Sequence, residues 1–392
     1  MADNDGNSNK KTSERWERLL YWLETEHGMH VGESGILVEC RDSKDGGRGL
    51  FAPSSTLFTI PAKAMMNTRT LSSTYPPPAD GPSLSAIQLI SLHLLLHRPT
   101  EDCESLDAMF GPYISTLPRD FDSHPLTWLV QSQISAPSRA VYGVMLECIP
   151  PSVSAAIMRL SSRFWEDWRA VVAYIGRNSR TTRKSSRADI LSRKSFQEDD
   201  CPLTLDYLWA WLNEGECFQG QFVGEVDLQD IVVRLFEQRG KVGQWMKETL
   251  EEEQYWGDWT LHSSPTPAHP SYRLMIALRL YYAIPTSIDT VPSAPEEATE
   301  GWKKVLTGQA EVISVENEKS WRESLLDICD EIIDRARQNR DENIRKLQQG
   351  LSLTEIEPPW LRWAIGNLNL LWGEEMEVAE AVAMSVRFGE EF

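Results

Sequence analysis

Asp45-Gly46-Gly47-Arg48-Gly49 is the first place in the chain where residue types permit ligand chemistry. Three glycines around one arginine leave backbone N–H groups unobstructed by side chains, so a small ligand can lie against Gly46, Gly47 and Arg48. The plainer reading is a glycine-rich hairpin turn. It is not a phosphate loop, because no Gly-Lys-Ser/Thr follows and the glycines lie between strand-like runs rather than opening a helix. His93 and His97 stand four apart in an apolar helical run, which is metal-ligand spacing. No HExxH carboxylate accompanies them, so they read as structural histidines with no metal. Neither His124, in an expected loop, nor His262 and His269, flanking a Pro-rich loop, is given a catalytic or ligand role. The six cysteines (Cys40, Cys103, Cys148, Cys201, Cys217 and Cys329) show no CxxC and no paired spacing. They read as reduced thiols with no zinc site.

The elements that must position these groups are legible in outline. Ile36 to Val38, Leu50 to Ala52 and Leu57 to Ile60 form strand-like runs broken by the glycines and stopped by Pro61, which predicts a β-meander. Residues 1–12 are expected to be a disordered tail. Ser13 can cap a helix with Trp16, Leu19, Leu20 and Leu23 on one face. After a Pro-rich break at 70–82, Leu84, Ile87, Ile90, Leu92, Leu94 and Leu95 predict an apolar helix. Pro112 and Pro118 bracket a turn, and Trp128 is expected in the core. Pro150-Pro151 starts a helix through Ile157, Leu160, Phe164 and Trp168 towards Ile175. The basic run over 176–197 reads either as a solvated Ser/Arg loop or as a nuclear-localisation or acidic-partner patch.

GGRGLFA followed by FTIP resembles the opening of a SET domain, the protein-lysine methyltransferase fold. The subgroup it is most similar to is that of the Rubisco large-subunit methyltransferase and the fungal ribosomal lysine methyltransferases. FGPYISTLPRDFDSHPLTWLV, Phe110 to Val130, resembles that subgroup's helical insert, with its Tyr-Ile-x-x-Leu-Pro turn at 113–118 before an aromatic segment, and LDYLWAWLN at 205–213 resembles the helix that follows. The resemblance implies that Gly46, Gly47 and Arg48 offer backbone groups to S-adenosylmethionine. It implies a substrate protein with a basic, lysine-bearing segment (ribosomal or histone-like), and direct methyl transfer to a neutral lysine amine held in place by the enzyme. The subgroup next supplies an Asn-His motif and a tyrosine that orients the amine. Here no histidine follows an asparagine, and no tyrosine lies between Tyr207 and Tyr255. The C-terminal half of the SET core is therefore expected to be missing at 214–225. No catalytic residue can be assigned, and cofactor binding would be weak or lost. The alternative is a non-catalytic protein-binding variant that keeps the helical substrate-binding domain.

Beyond that junction, 226–392 resembles the helical substrate-binding domain of the subgroup. Asp227 or Asp230 opens one helix, and a second carries Trp245, Met246 and Leu250. The aromatic cluster at Tyr255, Trp256 and Trp259 reads either as core or as a peptide-binding surface. Residues 291–301 read as a linker, followed by acidic helices over about 320–349 and from Pro358 or Pro359 to Met384. Glu374, Glu375, Glu377 and Glu380 read as a solvated charged face, or as a cradle for a basic tail. The formal charge of −19 over 392 residues argues against nucleic acid as the main partner. No apolar run reaches membrane-spanning length and the start lacks a signal core, so the expectation is a monomer in cytosol or nucleus. The predicted fold class is α+β, predominantly α. It comprises a small SET-like β-unit (13–69), a helical insert (70–213) and a C-terminal helical domain.

Overall fold

The structure is a computed structural model, and it describes residues 5–31, 58–78, 81–100, 103–177, 203–214, 224–285, 290–292, 294–351, 359–390 and 392. It is α+β and predominantly helical, and its contacts separate into two compact units. One comprises residues 1–122 and 160–219, the other 123–159 and 220–392.

The first unit opens with helix α1, Asp5–Thr25. The helix expected to begin at Ser13 thus begins at Asp5. Ser13 lies inside it, its hydroxyl bonding Glu17 Oε1 at 3.3 Å rather than capping. Polar residues in the first turns do not stop a helix whose later turns bury Leu19, Trp22 and Leu23. Gly28, at φ +72°, reverses the chain into β1, His30–Val31. That strand pairs antiparallel with β2, Phe58–Thr59, in the register His30 to Thr59 and Val31 to Phe58. A short 3-10 turn, Ala62–Ala64, leads to α2, Thr68–Leu71, which Asn67 caps through the N–H groups of Arg69 and Thr70.

Helix α3, Ala86–His97, begins at a capping box in which Ser85 and Gln88 satisfy each other's backbone N–H. It is apolar nearly all round, because α8, Thr204–Asn213, packs along it. The expected Pro112–Pro118 turn is instead a short helix, α4, Gly111–Thr116. Pro112 falls in its first turn, where the missing N–H costs nothing. The part of α7 (Pro151–Arg177) that belongs to this unit supplies Phe164 and Trp168. Trp168 stacks on Tyr207 with ring centroids 4.7 Å apart. Asp167 ties α7 to both α3 and α8, accepting from Gln88 Nε2 at 2.7 Å and Trp211 Nε1 at 2.9 Å.

The second unit contains α5 (Pro125–Ile134), α6 (Ala136–Glu147) and the start of α7. Trp128 is fully buried, as expected. His124 is a helix cap rather than a loop residue, its Nδ1 accepting from Leu126 N–H at 3.1 Å. A three-stranded antiparallel sheet joins β3 (Glu225–Asp227), β4 (Thr260–His262) and β5 (His269–Pro270) in that order. Helices α9 (Gln229–Glu237), α10 (Gly240–Glu252) and α11 (Tyr272–Ala283) follow the sheet strands in sequence. Asp227 Oδ1 takes Gln229 N–H at 2.7 Å at the start of α9. Phe236, Trp259, Leu274, Leu278, Trp302 and Trp321 belong to one continuous core, so Trp259 of the aromatic cluster is a packing residue.

Residues 291–301, expected as a linker, contribute to helix α12, Pro295–Leu306. Pro295 sits in the first turn with Glu296 and Glu297, while Lys303 and Lys304 close the last turn, so the charges match the helix dipole. Trp302 anchors it, fully buried, with Nε1 donating to Ile276 O at 3.0 Å. The long helices α13 (Val315–Leu351) and α14 (Pro359–Arg387) then pack on each other as a hairpin pair. No described helix is long and apolar enough to cross a membrane.

Candidate functional site

Within the first unit, α1 places Trp16, Leu19, Leu20 and Leu23 on one stripe, spaced three and four apart. That stripe forms one wall of a cavity of about 490 Å³. Ile60, Ala64, Met65 and Met66 close a second side, and Ile90 and Leu94 of α3 a third. Polar groups enter at few points: Tyr113 and Thr116 from α4, and Asn213 and Glu214 from the end of α8. The volume is that of a small-molecule site, with apolar walls and sparse polar contacts.

Electrostatics concentrate at those polar groups. Burial raises the Tyr113 phenol above its ordinary range, and the charge of Glu214 raises it further. The lining thus combines a neutral phenol and a carboxylate with mainly apolar walls. Asn213 is held by its own helix, its Nδ2 donating to Trp209 O at 2.9 Å. Trp209 in turn donates to Pro118 O at 2.7 Å, fixing α8 to the turn after α4.

Gly46, Gly47 and Arg48 lie outside the described residues, as do most of the basic run at 176–197 and of the junction at 214–225. The two ends of the chain that carries the glycines are described. Val31 and Phe58 face each other in β1 and β2, and Ile60, two residues further on, lines the cavity.

His93 and His97 do belong to one group, with a member the spacing did not reveal. Asp107 Oδ2 is 3.3 Å from His93 Nε2, and Oδ1 is 3.6 Å from His97 Nδ1. On the other side of the His93 ring, Nδ1 meets the Tyr75 hydroxyl at 2.9 Å. Asp107 Oδ2 also accepts the N–H groups of Met109 at 3.2 Å and Phe110 at 2.6 Å. Burial pushes the Asp107 carboxyl up. The His93 hydrogen bond and charge, the Phe110 N–H and His97 together outweigh it, and the group sits below its ordinary range. Burial lowers His97, and His93 lowers it further against the opposing pull of Asp107.

In the second unit, Glu375 corrects the reading of 374–380 as a wholly solvated face. It is buried, bonds the Ser152 hydroxyl, and lies 3.7 Å from Arg335 Nη2. Its position on the inner side of α14 is invisible in a run of similar charges. His262 and His269 are brought side by side by the β4–β5 pairing, their rings stacked 5.3 Å apart.

The fold and site thus define a predominantly helical α+β protein of two units. Its first unit carries an apolar cavity with a tyrosine and a carboxylate among its few polar lining groups. Compared with protein-family models, with curated proteins and with solved structures, the chain matches none.

Proposed function

We propose that the chain is a relative of the SET-domain protein-lysine methyltransferases, and that the cavity of its first unit is the site for S-adenosylmethionine and a lysine side chain. One observation carries the reading. Three stretches far apart in sequence bear the resemblance, and each contributes to the same cavity. FTIP supplies Ile60, the Phe110–Val130 stretch supplies Tyr113 and Thr116, and 205–213 supplies Asn213.

The described lining fits both ligands in part. Apolar walls suit a butyl or methionyl chain, and Glu214 suits the positive charge that either ligand carries at or near its end. Tyr113 can donate or accept a hydrogen bond to a lysine amine while remaining neutral. S-adenosylmethionine supplies the methyl group when bound. The chain's own part is to exclude water, strip the solvent from the amine and hold it in line; desolvation favours the neutral, nucleophilic form, while Glu214 favours the charged form in which the side chain arrives. The implied substrate is a basic, lysine-bearing segment of another protein, and the net charge of −19 favours its approach.

A second reading rests on a specific observation: no Asn-His dipeptide is present, and no tyrosine lies between Tyr207 and Tyr255. On that reading the protein recognises the segment without methylating it. Titration of the full chain with S-adenosylmethionine separates the two. Saturable heat at micromolar ligand supports the first reading, and a flat titration of folded protein supports the second.

A further inference from the structure

Three donors converge beside α3: one ring nitrogen each of His93 and His97 and a carboxylate oxygen of Asp107 lie within 4.8 Å of one another. The two contacts to the carboxylate measure 3.3 and 3.6 Å. The first runs from His93 Nε2 to Oδ2 and the second from His97 Nδ1 to Oδ1. Ligand atoms about 2.0–2.2 Å from a tetrahedral ion stand about 3.3–3.6 Å apart, so donors already within 4.8 Å of one another need only a small side-chain adjustment to close on a zinc-sized ion. We propose that His93, His97 and Asp107 form a binding site for a divalent transition-metal ion of the zinc type, with its fourth position open.

The chemistry of the donors selects the ion. Two imidazoles and one carboxylate suit zinc, cobalt or nickel, whereas magnesium and calcium call for oxygen ligands. A second observation points the same way. A metal on His93 Nε2 places the ring proton on Nδ1, and a ligating histidine needs a fixed partner there. The Tyr75 hydroxyl stands 2.9 Å from Nδ1, and a phenol accepts as readily as it donates. The ring is thus held for metal ligation whichever tautomer the free protein has. Asp107 is likewise prepositioned by the N–H groups of Met109 and Phe110.

Access is graded. The side chains of His93 and Asp107 are 1% and 6% exposed and form a dry floor, while that of His97 is 31% exposed and gives an ion its way in. Neither histidine lines the apolar cavity, so this site stands apart from the proposed methyltransferase function.

The test uses the full chain after treatment with a chelator. It is titrated with Zn2+ in competition with a chromophoric chelator, and separately with Co2+ under visible spectroscopy. The expected result is one ion per chain, with the intense visible bands of tetrahedral cobalt. His97→Ala, a partly exposed side chain whose loss leaves the helical circular dichroism intact, abolishes the ion. Tyr75→Phe keeps the stoichiometry but weakens affinity about ten- to a hundredfold. His269→Ala, in the other unit, changes neither. No stoichiometric metal on the folded chain would overturn the proposal, as would full binding by His97→Ala. In either case the three side chains form only a buried hydrogen-bond relay.

Discussion

Glu214, at the end of α8, lies close enough to Tyr113 of α4 for its charge to raise the phenol further above the range to which burial has already lifted it. Each group is part of the lining of the apolar cavity. The pair therefore joins a neutral hydrogen-bonding group to a carboxylate among the few polar groups of a mainly apolar lining.

That pairing predicts how the cavity treats a lysine-bearing peptide. Replacing Glu214 by Gln removes the charge and keeps the shape, and the loss should be about 1 kcal/mol, roughly fivefold in Kd, as for a partly exposed charge pair. Tyr113→Phe should weaken binding by a similar amount through the lost hydrogen bond. Fluorescence anisotropy with a labelled basic peptide measures both. Unchanged affinity in both variants would remove these groups from the binding site.

His124 gives the protein an acid-sensitive helix start. Burial lowers its pKa to about 4 from an ordinary 6.5, and the neutral ring accepts the Leu126 N–H. Between those values the unfolded chain takes up a proton that the folded chain refuses. Stability is thus complete above about pH 6.5 and falls as the pH drops towards 4. The loss between pH 7 and pH 5 should be at most about 2 kcal/mol, since the residue is only half-buried. Urea unfolding at the two pH values measures it. His124→Asn, which caps without titrating, should remove this part of the slope.

Arg279 and Glu318 hold α11 against the start of α13. The guanidinium donates from Nε at 2.7 Å and from Nη2 at 3.1 Å, and Trp321 Nε1 adds a third bond to the same carboxylate at 2.8 Å. The two side chains are only 10% and 16% exposed. Arg279→Ala leaves the carboxylate with little water and should cost about 3 kcal/mol. The double variant Arg279→Met with Glu318→Leu should recover most of that loss, because burying two ions is itself costly. Thermal and urea denaturation of the three proteins test the pair. A double variant as unstable as the single would show that the ion pair contributes net stability.

What the sequence shows and what it conceals divide along physical lines. Helix α3 is legible because its apolar run is a local signal, and so are α7 and α14, each opened by proline. Helix α12 is hidden because Pro, Ala, Glu and Gly resemble a linker until Trp302 is seen to be driven into the core. Asp107 is hidden as well. It lies outside the helix of His93 and His97, and only chain reversal between α3 and α4 brings it to them. Glu375 illustrates the same limit, since a row of glutamates does not say which one faces inward. The cavity is hidden too, since its lining comes from α1, residues 60–66, α3, α4 and the end of α8, which only the folded chain brings together.

The proposed function has the first unit bind S-adenosylmethionine in the cavity lined by Ile60, Tyr113 and Asn213. Calorimetric titration of the purified full chain with S-adenosylmethionine tests it most directly, alongside Ile60→Trp, whose indole occupies the space at the cavity edge. The expected result is saturable binding at micromolar ligand that Ile60→Trp abolishes while circular dichroism stays unchanged. A flat titration of the folded wild-type chain, or binding that Ile60→Trp leaves intact, would contradict it.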